Sequence, residues 1–221
     1  MISVENLLIL QKKVLPSFFE TMYTVTFSFI IATILGFIIA LLLVCCNEDG
    51  LYSNKTVYKT INICSNILRS FPFIILIVAL IPLTRTIVGT SIGKQAAIVP
   101  LVVGLAPFIG RLIENSFNEV DKSIIKAATS FCANRRQIIF RVMFKEAIPG
   151  IIMNLTLALI NTVGLSSMAG VVGGGGLGST AIIYGYQSFN DFVMYSVVVI
   201  LVVLVQFIQW IGTTLYKKTV K

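Results

Sequence analysis

Three stretches of this chain, residues 21–47, 147–190 and 192–216, contain no charged residue and are 27, 44 and 25 residues long. An α-helix rises 1.5 Å per residue and the hydrocarbon layer of a bilayer is roughly 30 Å thick, so about 20 apolar residues cross it. The three runs predict three membrane spans. Two shorter runs, 70–84 between Arg69 and Arg85 and 95–110 between Lys94 and Arg111, have 15 and 16 residues. Each crosses only if its flanking arginine lies within the helix end and snorkels to the interface. The alternative is a re-entrant hairpin. The intervening Thr84–Lys94 reads TRTIVGTSIGK, polar and punctuated by glycine, which favours two spans joined through water.

The expectation is an all-α membrane protein of one domain, 1–221, with spans near 18–46, 62–84, 95–113, 149–172 and 192–215. Composition agrees: 57% of the residues are hydrophobic and 12% charged, against roughly 25% charged in a soluble domain. The net charge of +8 has to be read by position, because Lys and Arg collect in cytoplasmic loops. Thirteen of the 17 basic residues fall on one side of five spans and four (Lys12, Lys13, Arg85, Lys94) on the other. That puts the N-terminus outside and the C-terminus in the cytoplasm, and leaves no call for nucleic acid. The apolar run that begins near Phe18 outlasts a signal-peptide core, so it reads as a retained span. There is no histidine, and the four cysteines lack ligand spacing, which argues against metal or redox chemistry.

Between the spans, Ser3–Lys13 reads as a short interfacial amphipathic helix or an extension of the first span, and Asn47–Lys59 as a cytoplasmic connection. Pro72, Pro82, Pro100 and Pro107 fall inside the second and third spans, where they mark kinks near a cavity or are ordinary membrane prolines. The main non-membrane stretch is Asn118–Lys145, with the coupling segment set at 118–146. Asp121 or Ser123 can cap a helix there. Ile124, Ala127, Ala128 and Phe131, then Ile138, Ile139, Val142 and Met143, recur at helical spacing. Two short amphipathic helices follow, with a bend at Cys132–Asn134 that Asn134 can turn. An interfacial hairpin on anionic lipid is the plain reading of so basic a segment.

The spacing Lys126-Ala127-Ala128, Cys132-Ala133, Ile138, Val142 and Glu146-Ala147-Ile148-Pro149 resembles the coupling loop of ATP-driven importer permeases, whose short helix docks on a separate ATPase subunit. Three positions depart from that pattern: Lys126 stands for Glu, Cys132 for Gly and Lys145 for Pro. Arg69–Leu76 (RSFPFIIL), Gly89–Pro100 (GTSIGKQAAIVP), Ala106–Ile109 (APFI) and Gly173–Gly178 followed by Tyr184-Gly185-Tyr186 are similar to methionine-importer permeases of the type I importer fold. The resemblance implies a homodimer in the inner membrane, two cytoplasmic ATPase subunits that bind ATP and Mg in place of any cofactor here, and an extracytoplasmic substrate-binding lipoprotein. Coupling is then expected at Lys126, Ala127, Ala128, Cys132, Ala133, Arg135, Arg136 and Ile138.

Gly173–Thr180 (GGGGLGST) approaches a phosphate loop, but its lysine is missing and no strand precedes it. A tightly packed bend at the outer end of the fourth span fits better. Just upstream, Ser166 and Ser167 either bond back to their own helix or line a central path together with the soft side chain of Met168. Glu114 pairs locally with Arg111, and no carboxylate is expected deep in a span, which weighs against proton coupling. The function implied is import of L- or D-methionine, with another amino acid or a small peptide as the nearest rival. A passive pore or a membrane enzyme ranks below, because no paired catalytic groups are evident.

Overall fold

The computed structural model describes residues 8–47 and 52–220, so the parts of the two proposed segments at Ser3–Leu7 and Glu48–Leu51 lie outside the described residues. Among the described residues, four helices are long and apolar enough to cross a bilayer: α1 (Leu10–Cys46), α5 (Lys94–Asn118), α7 (Arg135–Gly174) and α9 (Asp191–Thr219). Between the first two lie α2 (Lys55–Ser70), α3 (Phe73–Ala79) and α4 (Ile81–Val88). The core is the crossing of α1 with α5. Gly36 and Gly110 meet there so closely that a Cβ on either would lie 2.9 Å from the other helix. In lipid, where burial between helices gains little hydrophobic energy, such small-residue contacts are what allow close packing. Leu101, Leu105, Ile109, Ile113 and Phe117 fill the remaining core against Ala147 and Ala158 of α7. The outer faces of α1 and α9 are apolar and exposed, for example Ile34, Ile38, Val203 and Phe207, as a lipid-facing surface requires.

The single span expected at 62–84 is broken. α2 and α3 meet at 103°, so the pair is either a broken fifth span or a re-entrant loop. Pro72 causes the break: it has no N–H for the carbonyl of Leu68, and it forces Phe71 out of helical geometry to ψ 130°. Pro82 sits in the first turn of α4, where proline is tolerated, and Gly89 at φ +82° ends that helix. Pro100 and Pro107 stay inside α5, buried and without ending it.

Other boundaries move outward. From Leu8 onward the N-terminal segment is continuous with α1, so the described part of the proposed interfacial helix is an extension of the first span. Lys55–Lys59, expected in a connection, is already helical, with Asn54 accepting the N–H of Val57 at 3.2 Å. The second of the two short helices expected in 118–146 is not separate: it is the first part of α7, whose 40 residues run through Pro149 to the glycine loop. Only α6 (Lys122–Ser130) stands alone.

At its far end α7 kinks at Val172–Gly173, and a further short helix, α8 (Gly176–Thr180), continues through Ala181–Tyr186. It runs antiparallel to α1. Gly176 meets Glu20, Leu177 meets Thr21, Thr180 meets Ser17, and the ring of Tyr184 lies under the Lys13 ammonium. With Val14, Val193 and Val197 it forms a second, smaller core at the end opposite α6.

Candidate functional site

The loop between α5 and α7 is built by local bonds. Asp121 accepts the N–H of Ser123 at 2.8 Å and caps α6. That bond holds the Asp121 carboxyl below the usual aspartate range. The cap is therefore complete above that range and lost as pH falls below it. α6 ends in two reversed bonds, Ala133 N–H to the carbonyl of Ala128 at 3.1 Å and Cys132 N–H to that of Thr129 at 3.0 Å. This pair of bonds defines a Schellman turn, and its left-handed position is Cys132, at φ +56°. Asn134, expected to make the turn, is instead the N-cap of the next helix at φ −73° and forms a reciprocal capping box with Gln137, both bonds 2.9 Å.

Cys132 therefore holds a conformation that glycine adopts without penalty and a Cβ resists. Replacing it with glycine should stabilise the turn by about 1 kcal/mol. The check is slower amide exchange at Cys132 and Ala133 positions in the variant, with the rest of the chain unchanged. Faster exchange there would show that the turn is not strained.

The turn presents a defined surface. Lys126, Ala127, Cys132, Arg135 and Arg136 are exposed, and Ala128 and Ala133 are half-buried. Arg135 lies over the ring of Tyr52 at 5.2 Å, which ties it to the chain before α2. Ile138 is 2% exposed, so it anchors the turn from inside rather than facing a partner. Sequence reasoning placed Phe131 on the apolar face of a helix; the structure has it 87% exposed at the tip of the turn, with none of the other described residues covering it. The end of α5 beneath is stiffened by Arg111 and Glu114, paired at 2.7 Å with Glu114 only 2% exposed.

Along α7 the three expected pathway residues separate. Ser166 is buried, and Ser167 donates to the carbonyl of Val163 at 3.1 Å. The backbone of Ser167 is covered by Gly178 of α8, which leaves no room for a solute there. Met168 is exposed, on one stripe with Met153, Leu157, Asn161 and Gly164. At the other end, Glu20 and Thr21 accept the N–H groups of Gly176 and Leu177 at 3.1 and 2.8 Å. Sequence reading missed this clamp. Its one visible signal is an acidic residue at the start of the first apolar run.

The chain as a whole is similar to known proteins. Residues 32–221 match the family described as the binding-protein-dependent transport system inner membrane component. The chain is 42% identical to a probable D-methionine transport system permease protein of Vibrio cholerae, over 92% of this chain and 91% of that one. It is also 42% identical to the methionine import system permease protein of Bacillus subtilis, over 75% of each. Among solved structures it superposes on a chain of the MetNI methionine ABC transporter in an inward-facing conformation, with TM-score 0.91, 41% identity and 99% of both chains covered. With a family match over most of its length, a solved neighbour of the same fold and a relative that shares nearly its full extent, this chain belongs to the inner-membrane components of binding-protein-dependent transport systems.

Proposed function

We propose that the chain is the membrane subunit of an ATP-driven methionine importer, working as a homodimer with two ATPase subunits on the side of the α6 turn. The observation that carries this is the rigid, capped turn that offers Phe131 and a basic surface to a partner, in a chain whose relatives are methionine permeases. The chain itself performs no hydrolysis. It alternates between inward-open and outward-open states, and ATP biases that equilibrium only if the ATPase binds one state more tightly than the other. A shift from 1:99 to 99:1 needs about 5.5 kcal/mol of differential binding, within reach of nucleotide-driven docking at two such turns.

The 13 basic residues counted on one side, those of 118–146 among them, support an orientation with the α6 turn and the C-terminus in the cytoplasm and the N-terminus outside. The α8 clamp then lies at the outer face, where a methionine-binding lipoprotein delivers its cargo. Continuity of Arg135–Gly174 gives the mechanism its lever: movement of the turn passes along one helix to the exposed stripe of Asn161 and Met168. Affinity purification of the chain in mild detergent tests the assembly. Recovery of an ATPase subunit in equal amount is expected, and a chain that purifies alone overturns the proposal.

A further inference from the structure

The continuous helix α7 is one route out of the α6 turn, and Tyr52 marks another. The guanidinium of Arg135, the first residue of α7, lies 5.2 Å from the centroid of the Tyr52 ring. Arg135 is fixed there by the capping box at Asn134, one residue before it. Tyr52 is fixed through the backbone. Its N–H donates to the carbonyl of Cys45 at 2.9 Å, and the N–H of Asn54 donates to that of Cys46 at 3.0 Å. Cys45 and Cys46 end α1, so these bonds satisfy carbonyls that a helix terminus leaves without a partner of its own. Asn54 then caps α2.

α2 is a helix that has to be positioned from its base. Of its 16 residues one, Ser65, is buried, while Ile63 and Ile67 are exposed. A helix with so few buried side chains is held weakly along its length and follows whatever holds its end. In its first turn Tyr58 meets the guanidinium of Arg111, which is paired at 2.7 Å with the buried Glu114 of α5. Just before that turn, Tyr52 meets Arg135. The base of α2 is therefore held from two sides, by the end of α5 and by the α6 turn. The first anchor belongs to the core, and the second to the surface that faces a partner. A cation over a ring keeps its attraction anywhere within about 6 Å of the centroid, so the contact survives small displacements, as a joint between two moving parts must.

Building on the importer reading above, we infer that Tyr52 is a positioning residue for coupling. It ties α2 to the α6 turn, so that docking of the ATPase displaces α2 together with α7. Arg135 then acts inward on Tyr52 as well as outward on the partner. An exposed contact of this kind shifts an equilibrium by about two- to fivefold, which sets the size of the effect.

The test uses the complete complex with its ATPase and binding protein in proteoliposomes, with uptake of radiolabelled L-methionine and ATP hydrolysis followed together. For Tyr52→Leu, methionine moved per ATP hydrolysed should fall by about two- to fivefold, while the ATPase is still recovered in equal amount. Tyr52→Phe should behave as wild type, because the contact uses the ring face and not the hydroxyl. In an Arg135→Gln background, Tyr52→Leu should cost nothing further, since both changes remove one contact. A wild-type ratio in Tyr52→Leu, an equal fall in Tyr52→Phe, or additive losses in the double variant overturn the assignment. Should Tyr52→Leu fail to assemble, Tyr52→Cys with Arg135→Cys in an otherwise cysteine-free chain decides the matter. Joining the two thiols with a short cross-linker should raise the methionine moved per ATP, the covalent tie standing in for the lost contact, and no rise overturns the assignment. A wild-type complex that takes up no methionine overturns the importer reading itself, a result distinct from any of these.

Discussion

Gly178→Ala is expected to stop the protein from folding to a stable, monodisperse species. A Cβ at Gly178 would sit 2.1 Å from the backbone carbonyl oxygen of Ser167, and also against its Cα and carbonyl carbon. Backbone on both sides cannot turn away as a side chain can, so α8 must leave α7. The cost lies at or beyond the upper end of ordinary overpacking, about 3 kcal/mol. Departure of α8 would also release Gly176 from Glu20 and Leu177 from Thr21. Thermal unfolding in detergent is the measurement, and a large drop in midpoint or loss of the monodisperse peak is the expected result. Gly164→Ala is the control, because a Cβ there meets nothing within 4 Å in this chain. Equal stability of the two variants would show that α8 is not packed on α7 as described.

The second large effect concerns Phe131. An aromatic side chain 87% exposed at the tip of a rigid turn is the natural anchor for a partner. Phe131→Asp should weaken binding of the ATPase by about 2 kcal/mol or more, roughly thirty-fold. ATP-driven uptake should fall with it while the isolated chain stays folded, since none of the other described residues rests on the ring. Phe189→Asp makes the same change at a residue 93% exposed at the opposite end of the bundle. It should leave ATPase binding unaltered. Equal effects of the two substitutions would remove the turn from the coupling interface.

What could be read in advance follows from which forces act locally. Runs without charge located the three longest apolar segments because a charge in lipid is costly wherever the chain later goes. The fold class followed from that alone. Helix ends were less legible. Arg135, Arg136, Arg141 and Lys145 made the start of α7 look like a separate basic helix, yet charge says only that a segment is outside the lipid, not that the helix stops. The 44-residue run at 147–190 would measure roughly 66 Å as one helix, twice the bilayer, and that excess is where α8 lies.

Pro72 shows the opposite case. The sequence marks it as a possible kink, but Pro100 and Pro107 carry the same mark and their helix continues. The difference is tertiary: α5 is buried in the core, where its neighbours hold it, whereas the residues around Pro72 are exposed and free to turn. The site divides the same way. The α6 turn was found because caps and turns are local, although Cys132 rather than Asn134 takes the left-handed position. For Ser166 and Ser167 the sequence left bonding back to their own helix and lining a path both open; Ser167 bonds back to Val163, and nothing near them in sequence shows that α8 folds over them. Glu20 and Gly176, 156 residues apart, could not be paired by any local rule.

Reconstitution tests the central claim most directly. The purified chain, its ATPase and its binding protein are placed in liposomes, and uptake of radiolabelled methionine is followed with and without ATP inside the compartment facing the α6 turn. Accumulation that requires both ATP and this chain is the result the account predicts. Uptake that proceeds equally without ATP, or equally in liposomes lacking the chain, would contradict it.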